Sequence, residues 1–327
     1  MPAMRTPVLA IIVPCYNEEE VLPDSSERLK AKLDSLKERE LIDPASRIYF
    51  VDDGSRDSTW QIIAGLADSD DAFDGIKLTR NFGHQYAVYA GLMNATGDAL
   101  VTIDADLQDD INAIDEMVVN YCNGDEIVYG VRDDRHTDSH FKRWTAGMHY
   151  WIAARFGIET IPNHADFRLM SKQAINVLGQ YKEKNLYLRG MIPLIGLSSS
   201  KVYYARGERE AGESKYGFKE MLALSVQGIT SLSIMPLRVI AVLGFVVFLI
   251  SMGLGGWALY AKISGDVELI DGWASTVIPI YLLGGLQLLA IGVAGEYIGK
   301  TYMEVKRRPN YQIEKIASRP GHHEVGE

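Results

Sequence analysis

The sequence predicts an α/β domain with a mostly parallel sheet, followed by a C-terminal two-helix transmembrane hairpin. Three observations predict it. Between Val8 and Arg132 short apolar runs alternate with helical stretches at βαβ spacing. Polar and acidic residues follow the first, second and fourth runs, at the strand ends where open α/β sheets bind ligands. Two uncharged segments, Val239–Ala261 and Trp273–Gly295, run 23 residues each.

The strands are expected at Val8–Val13, Arg47–Val51, Gly75–Leu78, Ala99–Ile103 and Glu126–Val131, with helices near Glu18–Lys37, Ser58–Ala67, Gln85–Ala95 and Ile111–Tyr121. Composition excludes several classes. With 47% apolar residues the chain can bury a core, and a net charge of −10 argues against a nucleic-acid partner, which needs surplus Lys and Arg. Cys15 and Cys122 are too few for a disulfide scaffold or a zinc site, so a reducing cytosol suits the front of the chain.

The residues just past the strand ends carry the chemistry. After the first strand stands Pro14-Cys15-Tyr16-Asn17-Glu18, after the second Asp52-Asp53-Gly54-Ser55-Arg56-Asp57, and after the fourth Asp104-Ala105-Asp106-Leu107-Gln108. Each has a plain alternative in turn chemistry, with Asp57 or Ser58 as a helix cap. Three at one sheet edge are harder to explain that way. Alternate residues leaving a strand project to one side, so Asp104 and Asp106 can face one ligand. Hard carboxylate oxygens suit Mg²⁺ or Mn²⁺, which neutralise charge on a departing diphosphate. The stretch AGEYIGKT at 294–301 fits a relaxed phosphate-binding loop, but it ends a hydrophobic span rather than a strand, and G-x-G-x-x-G is absent.

Each uncharged segment would be about 34 Å long as a helix, enough to span a hydrocarbon core of about 30 Å. Arg238 precedes the first, and Lys300, Lys306, Arg307 and Arg308 follow the second, while the connection carries Asp266, Glu268 and Asp271. The positive-inside rule then puts both outer ends in the cytoplasm. No apolar h-region precedes Val8, so no cleavable signal is expected. The predicted organisation is a cytosolic domain over 1–213, a juxtamembrane amphipathic helix over 214–235, two spans within 236–299 (about 239–261 and 273–295), and a cytosolic tail over 300–327, mobile beyond Ile313. The helix at 216–233 has an apolar face that either lies in the interface or packs on the catalytic domain; the aromatic segment 141–156 leaves the same two readings open.

IVPCYNE, VDDGSRD, RNFGHQ and IDADLQD, in this order, resemble the glycosyltransferase family 2 catalytic domain. DFRL at 166–169, GESKY at 212–216 and GEYIGKTYMEVKRRPNY narrow the resemblance to polyprenyl-phosphate glycosyltransferases, especially bactoprenol glucosyltransferases, with dolichol-phosphate mannose synthase more distant. The resemblance covers Val8 to about Gln312. It implies a Rossmann-like GT-A fold and an inverting enzyme that moves a hexose, glucose first, from a UDP-sugar to polyprenyl (undecaprenyl) phosphate. The setting implied is the cytoplasmic face of a bacterial inner membrane, in cell-envelope glycan modification.

By the same resemblance Pro14, Tyr16, Glu18 and Asp53 would hold base and ribose, and Asp104 the sugar and ribose side. Asp106 and Gln108 would ligate Mg²⁺ or Mn²⁺, and Arg132, Arg143, Arg206 and Lys215 would meet phosphate. Asp166 matches the proposed catalytic carboxylate, with an internal Asp166–Arg168 ion pair as the competing structural role. Asp109-Asp110 stands where relatives commonly carry proline. Relatives' tetramers imply a homo-oligomer, with the bilayer as a further partner. A phosphate monoester, with its second pKa near roughly 6, arrives largely ionised, so Asp166 reads as an orienting group before a base. Two alternatives compete: a processive polysaccharide synthase, which would carry Q-x-x-R-W where this chain has His140 before Arg143-Trp144, and a catalytically silent membrane scaffold.

Overall fold

A computed structural model of the chain describes residues 6–133, 164–184, 186–204, 235–264 and 273–319. They fall into two units, the first comprising 1–152, 159–215 and 308–327, the second 153–158 and 216–307.

The first unit is built on an eight-stranded sheet between two helical layers. Its elements run β1 (Leu9–Cys15), α1 (Leu22–Glu38), β2 (Arg47–Asp52), α2 (Thr59–Ser69), β3 (Phe73–Leu78), α3 (His84–Asn94), β4 (Ala99–Thr102), α4 (Ala113–Cys122) and β5 (Ile127–Arg132). Then come β6 (His164–Ser171), α5 (Lys172–Leu178), α6 (Leu188–Leu194), β7 (Ser199–Tyr204) and, after the second unit, β8 (Ile313–Ala317). The strand order is β7-β5-β6-β4-β1-β2-β3-β8. Every residue of β1, LAIIVPC, is buried, as a central strand covered on both faces must be. One core joins β1 and β2 to α1 and α4 through Leu29, Leu33, Ile114 and Met117; the other joins them to α3, α5 and α6 through Val88, Leu92, Ile175 and Met191. At Gly91 a Cβ would lie 2.2 Å from Ile12 Cγ2, so only glycine lets α3 sit this close to β1.

The five expected strands and four expected helices all form, with shifted ends. The tertiary structure adds what periodicity did not show. Strand β6 inserts between β4 and β5 and runs antiparallel to both, which makes the sheet mixed, though β1–β2, β1–β4, β2–β3 and β5–β7 remain parallel. The tail expected to be mobile beyond Ile313 instead supplies β8, antiparallel to β3 from Gly75↔Ala317 to Leu78↔Ile313. Tyr311 explains the anchorage: its hydroxyl accepts from Asn94 Nδ2 at 2.8 Å and its ring meets Tyr89 edge-on.

The second unit contains α7 (Met235–Ser264) and α8 (Trp273–Lys306). These helices contain the two uncharged segments, and α8 continues through 294–301, so AGEYIGKT forms helix rather than a phosphate loop. Among the described residues one helical stretch, Leu282–Lys306, is long and apolar enough to cross a membrane. The connection 265–272 and the expected juxtamembrane helix up to 234 lie outside the described residues.

Candidate active site

The ladder between β1 and β4 ends at Ile12↔Thr102, while β1 continues beside β2 to Cys15↔Asp52. Here β1 has neighbours reached by opposite crossovers, the switch point at which open sheets form a crevice. Pro14, without an N–H, lies in β1 beyond the last rung shared with β4.

The loops after β1 and β2 are tied together. Asn17, at φ +54°, donates its amide to Ser55 Oγ and accepts from the Arg56 amide through Oδ1, both at 2.9 Å. Glu18 N donates to Thr59 Oγ1, and the Glu19 carboxylate accepts from Ser58 N. Asp57 accepts the Thr59 amide in a local turn ahead of α2, while Ser58 stands at the cap position without a side-chain cap bond. This lattice holds Tyr16 at the rim, exposed, with Glu18 half-buried behind it.

Asp53 is buried, and both its oxygens are occupied: Phe82 N donates to Oδ1 at 2.7 Å and Gly83 N to Oδ2 at 2.8 Å. Burial lifts its carboxyl above the usual range against the pull of those amides. The acid after β2 thus fixes the loop that delivers His84 at the start of α3. Gly54, at φ +69°, lets that loop approach, since a Cβ there would sit 2.4 Å from the Arg80 carbonyl carbon.

Beyond β4, Asp104 and Asp106 stand on the same edge. Leu107 takes φ +45°, and Gln108 Nε2 donates to Asp106 Oδ2 at 2.6 Å. Two carboxylates and an amide oxygen are hard donors, the set that Mg²⁺ or Mn²⁺ takes together with substrate phosphates. Among the described residues no group of three or more His, Cys, Asp or Glu comes together in a way that could hold a metal ion. Asp109 is buried and accepts from Arg132 Nε and the Tyr204 hydroxyl, both at 2.8 Å. Arg132 and Tyr204 are register partners on β5 and β7, so one carboxylate ties the fourth, fifth and seventh strands together at the edge. Burial opposes the charge on Arg132, but Asp109 outweighs it and keeps the guanidinium firmly charged; burial beside Asp109 pushes the Tyr204 hydroxyl up.

The centre of the site is Asp166. Strand β6 pairs Arg168 with Thr102, and the antiparallel register carried two residues further sets Asp166 opposite Asp104. Arg168 Nη2 donates to Asp166 Oδ1 at 2.6 Å from the buried side. Arg189, on α6, donates Nε to Oδ1 and Nη2 to Oδ2, both at 3.0 Å. His84 Nε2 lies 3.5 Å from Asp166 Oδ2 and 3.6 Å from Asp104 Oδ1. Burial disfavours the charged form of Asp166, but His84, Arg168 and Arg189 outweigh it and hold the carboxyl well below its ordinary range. Burial likewise opposes charging of His84, yet the Asp166 hydrogen bond and the Asp104 charge leave its pKa raised. Asp104 is pushed up by desolvation and by the carboxylates of Asp166, Asp109 and Asp106, with His84 opposing.

Pro14, Tyr16, Glu18, Asp53, Asp104, Asp106, Gln108, Arg132 and Asp166 therefore lie on or beside the carboxyl edge of one sheet. Arg143, Arg206 and Lys215 lie outside the described residues. Sequence reasoning missed two participants. His84 stood within RNFGHQ without a role. Arg189 follows no strand and lies in none of the segments that carried the resemblance, and only the packing of α6 reveals it.

An α/β sheet with acidic loops at its switch point and a D-x-D pair after the fourth strand defines a Rossmann-like fold of the GT-A class. Residues 10–192 match the family described as Glycosyl transferase family 2, more than half of the chain, and the protein belongs to that family and is a glycosyltransferase. It is 49% identical over 310 residues to "Uncharacterized glycosyltransferase YkoT" of Bacillus subtilis (strain 168), covering 94% of this chain and 91% of that one. It is 39% identical over 309 residues to "Bactoprenol glucosyl transferase" of Shigella phage SfII, covering 94% and 97%. Among solved structures, mannosyl-3-phosphoglycerate synthase from Rubrobacter xylanophilus aligns over 81% of this chain and 78% of its own at 15% identity, with a TM-score of 0.44.

Proposed function

We propose that this glycosyltransferase moves glucose from UDP-glucose to polyprenyl phosphate, with inversion at the anomeric carbon, on the cytoplasmic face of a bacterial membrane. The observation that carries the reading is the meeting of Asp104, His84, Asp166 and Arg189 at the switch point, beside Asp106 and Gln108. The phage relative's name supports a bactoprenol acceptor.

In this reading the base and ribose lie against Pro14, Tyr16 and Glu18, on the loops that Asn17 and Asp53 brace. Asp106 and Gln108 hold Mg²⁺ or Mn²⁺, which supplies charge neutralisation to the departing diphosphate. The acceptor phosphate needs no strong base, because with a second pKa near roughly 6 it arrives largely ionised. That fits Asp166, whose oxygens are occupied by cations and whose carboxyl is held far down, as an orienting group. Arg132, steadied by Asp109, and the cations around Asp166 lower the repulsion between two anionic substrates. Arg143, Arg206 and Lys215 are assigned to phosphate on the family resemblance alone.

Helices α7 and α8 are read as two membrane spans with both outer ends cytoplasmic. Outward-facing Val242, Phe245 and Ile250 on α7, and Leu282, Leu288 and Ile291 on α8, support this, as does the basic run after α8. The predicted order of catalytic domain, juxtamembrane helix and two spans is retained with it, with Ile313–Ala317 joined to the catalytic sheet as β8 in place of a mobile tail, as is a homo-oligomer.

The test is direct. Membranes containing the full chain are incubated with undecaprenyl phosphate and a panel of labelled nucleotide sugars, then extracted with organic solvent. UDP-glucose is expected to label the lipid fraction, and EDTA to abolish the label. Label in a polymer, or none in lipid from any donor, rejects the reading.

A further inference from the structure

Two arginines share one carboxylate in this site, and they are not equivalent. Arg168 approaches Asp166 from the core, its side chain 3% exposed, whereas the Arg189 side chain is 43% exposed. A guanidinium carries five N–H donors in a rigid plane. Arg189 commits the edge made by Nε and Nη2 to Asp166, at 3.0 Å for each bond. The plane then directs the edge made by Nη1 and Nη2 away from Asp166, on a side chain that solvent reaches. Ion pairing with Arg168 already provides Asp166 with a buried counter-charge, so a second, half-exposed arginine is not needed to stabilise it. Carboxylate on one edge and, among the described residues, no partner on the other is the arrangement that presents a pre-oriented fork to a phosphate.

We propose that Arg189 is a phosphate-binding residue of this enzyme, its outer guanidinium edge taking a phosphoryl oxygen while Asp166 fixes its position. The assignment rests on the proposed transfer between two phosphate-bearing substrates for the presence of phosphate ligands. Two sources share that chemistry, the donor's diphosphate and the acceptor's monoester.

The experiment measures binding of UDP, geranylgeranyl phosphate and geranylgeraniol to purified full-length wild type, Arg189→Gln and Arg189→Lys. Arg189→Gln is expected to weaken at least one phosphate ligand about tenfold or more, Arg189→Lys to lie between, and the alcohol to bind as before. A loss confined to geranylgeranyl phosphate assigns the fork to the acceptor, and one confined to UDP assigns it to the donor. Either upholds the proposal. Unchanged binding of both phosphates, or an equal weakening of the alcohol, overturns it. Should Arg189→Gln fail to fold, Arg189→Lys is read by the same criteria, with a loss specific to phosphate expected. A wild type that binds geranylgeranyl phosphate yet transfers no hexose would reject the proposed function and leave the Arg189 assignment standing.

Discussion

Asp166 and Arg189 meet as a planar fork, Nε to Oδ1 and Nη2 to Oδ2, each at 3.0 Å. Arg168 closes the same carboxylate from the core at 2.6 Å. Removing the negative charge leaves Arg168 buried without its counter-ion, the costly case for an ion pair. Asp166→Asn is therefore expected to lose about 3 kcal/mol of stability, read from the denaturant midpoint of the purified chain, along with its transfer activity. A midpoint equal to that of the wild type would show that Arg168 is not held by this charge.

His84 gives a pH dependence of known sign. Its folded pKa is raised above the ordinary value of about 6.5. The stabilisation from its charged form is therefore complete below about pH 6.5 and fades as pH rises through the higher folded value. Thermal unfolding of the metal-free wild type should show a component of stability that fades as pH rises above about 6.5. In His84→Gln that component should be missing, and an unchanged profile would place the titration elsewhere.

Two glycines allow a controlled comparison. At Gly54 a Cβ would be forced to φ +69° and to within 2.4 Å of the Arg80 backbone. At Gly65, inside α2, a Cβ would meet nothing within 4 Å. Gly54→Ala should lose more than about 2 kcal/mol and weaken nucleotide binding, because the loop from Arg80 to His84 must move. Gly65→Ala should gain roughly 0.5–1 kcal/mol from helix propensity. Thermal melts of both variants check the pair, and equal behaviour would refute the close-approach argument.

Metal dependence should run through the loop after β4. Asp106→Ala is expected to lower UDP affinity in Mn²⁺ to the level the wild type shows in EDTA, and to make binding indifferent to the ion. Calorimetric titration with and without chelator measures both. If Asp106→Ala retained a full response to Mn²⁺, the ion would have to be held by other residues.

Much of this architecture was legible in the chain. Fully apolar runs such as Leu9–Val13 mark strands covered on both faces, and the polar clusters after them mark the carboxyl edge. β6 was not legible, because HADFRLMS reads equally well as a strand or a loop until β4 and β5 offer their edges. The C-terminal strand was hidden for a similar reason. Ile313–Ala317 is short and charged, and what fixes it is the β3 edge together with Asn94 and Tyr89, more than two hundred residues away in sequence.

The sequence alone determined the α/β class, the apolar helices, and a set of acids at the strand ends, since these arise from short-range period and from residues adjacent in the chain. The tertiary structure decided which charges meet. His84, Asp104, Asp166 and Arg189 come from four separate elements, and only an antiparallel strand slipped between two others brings Asp166 opposite Asp104 and within reach of the α6 arginine. Pairing between distant segments is chosen by the fit of whole surfaces, which no local pattern encodes.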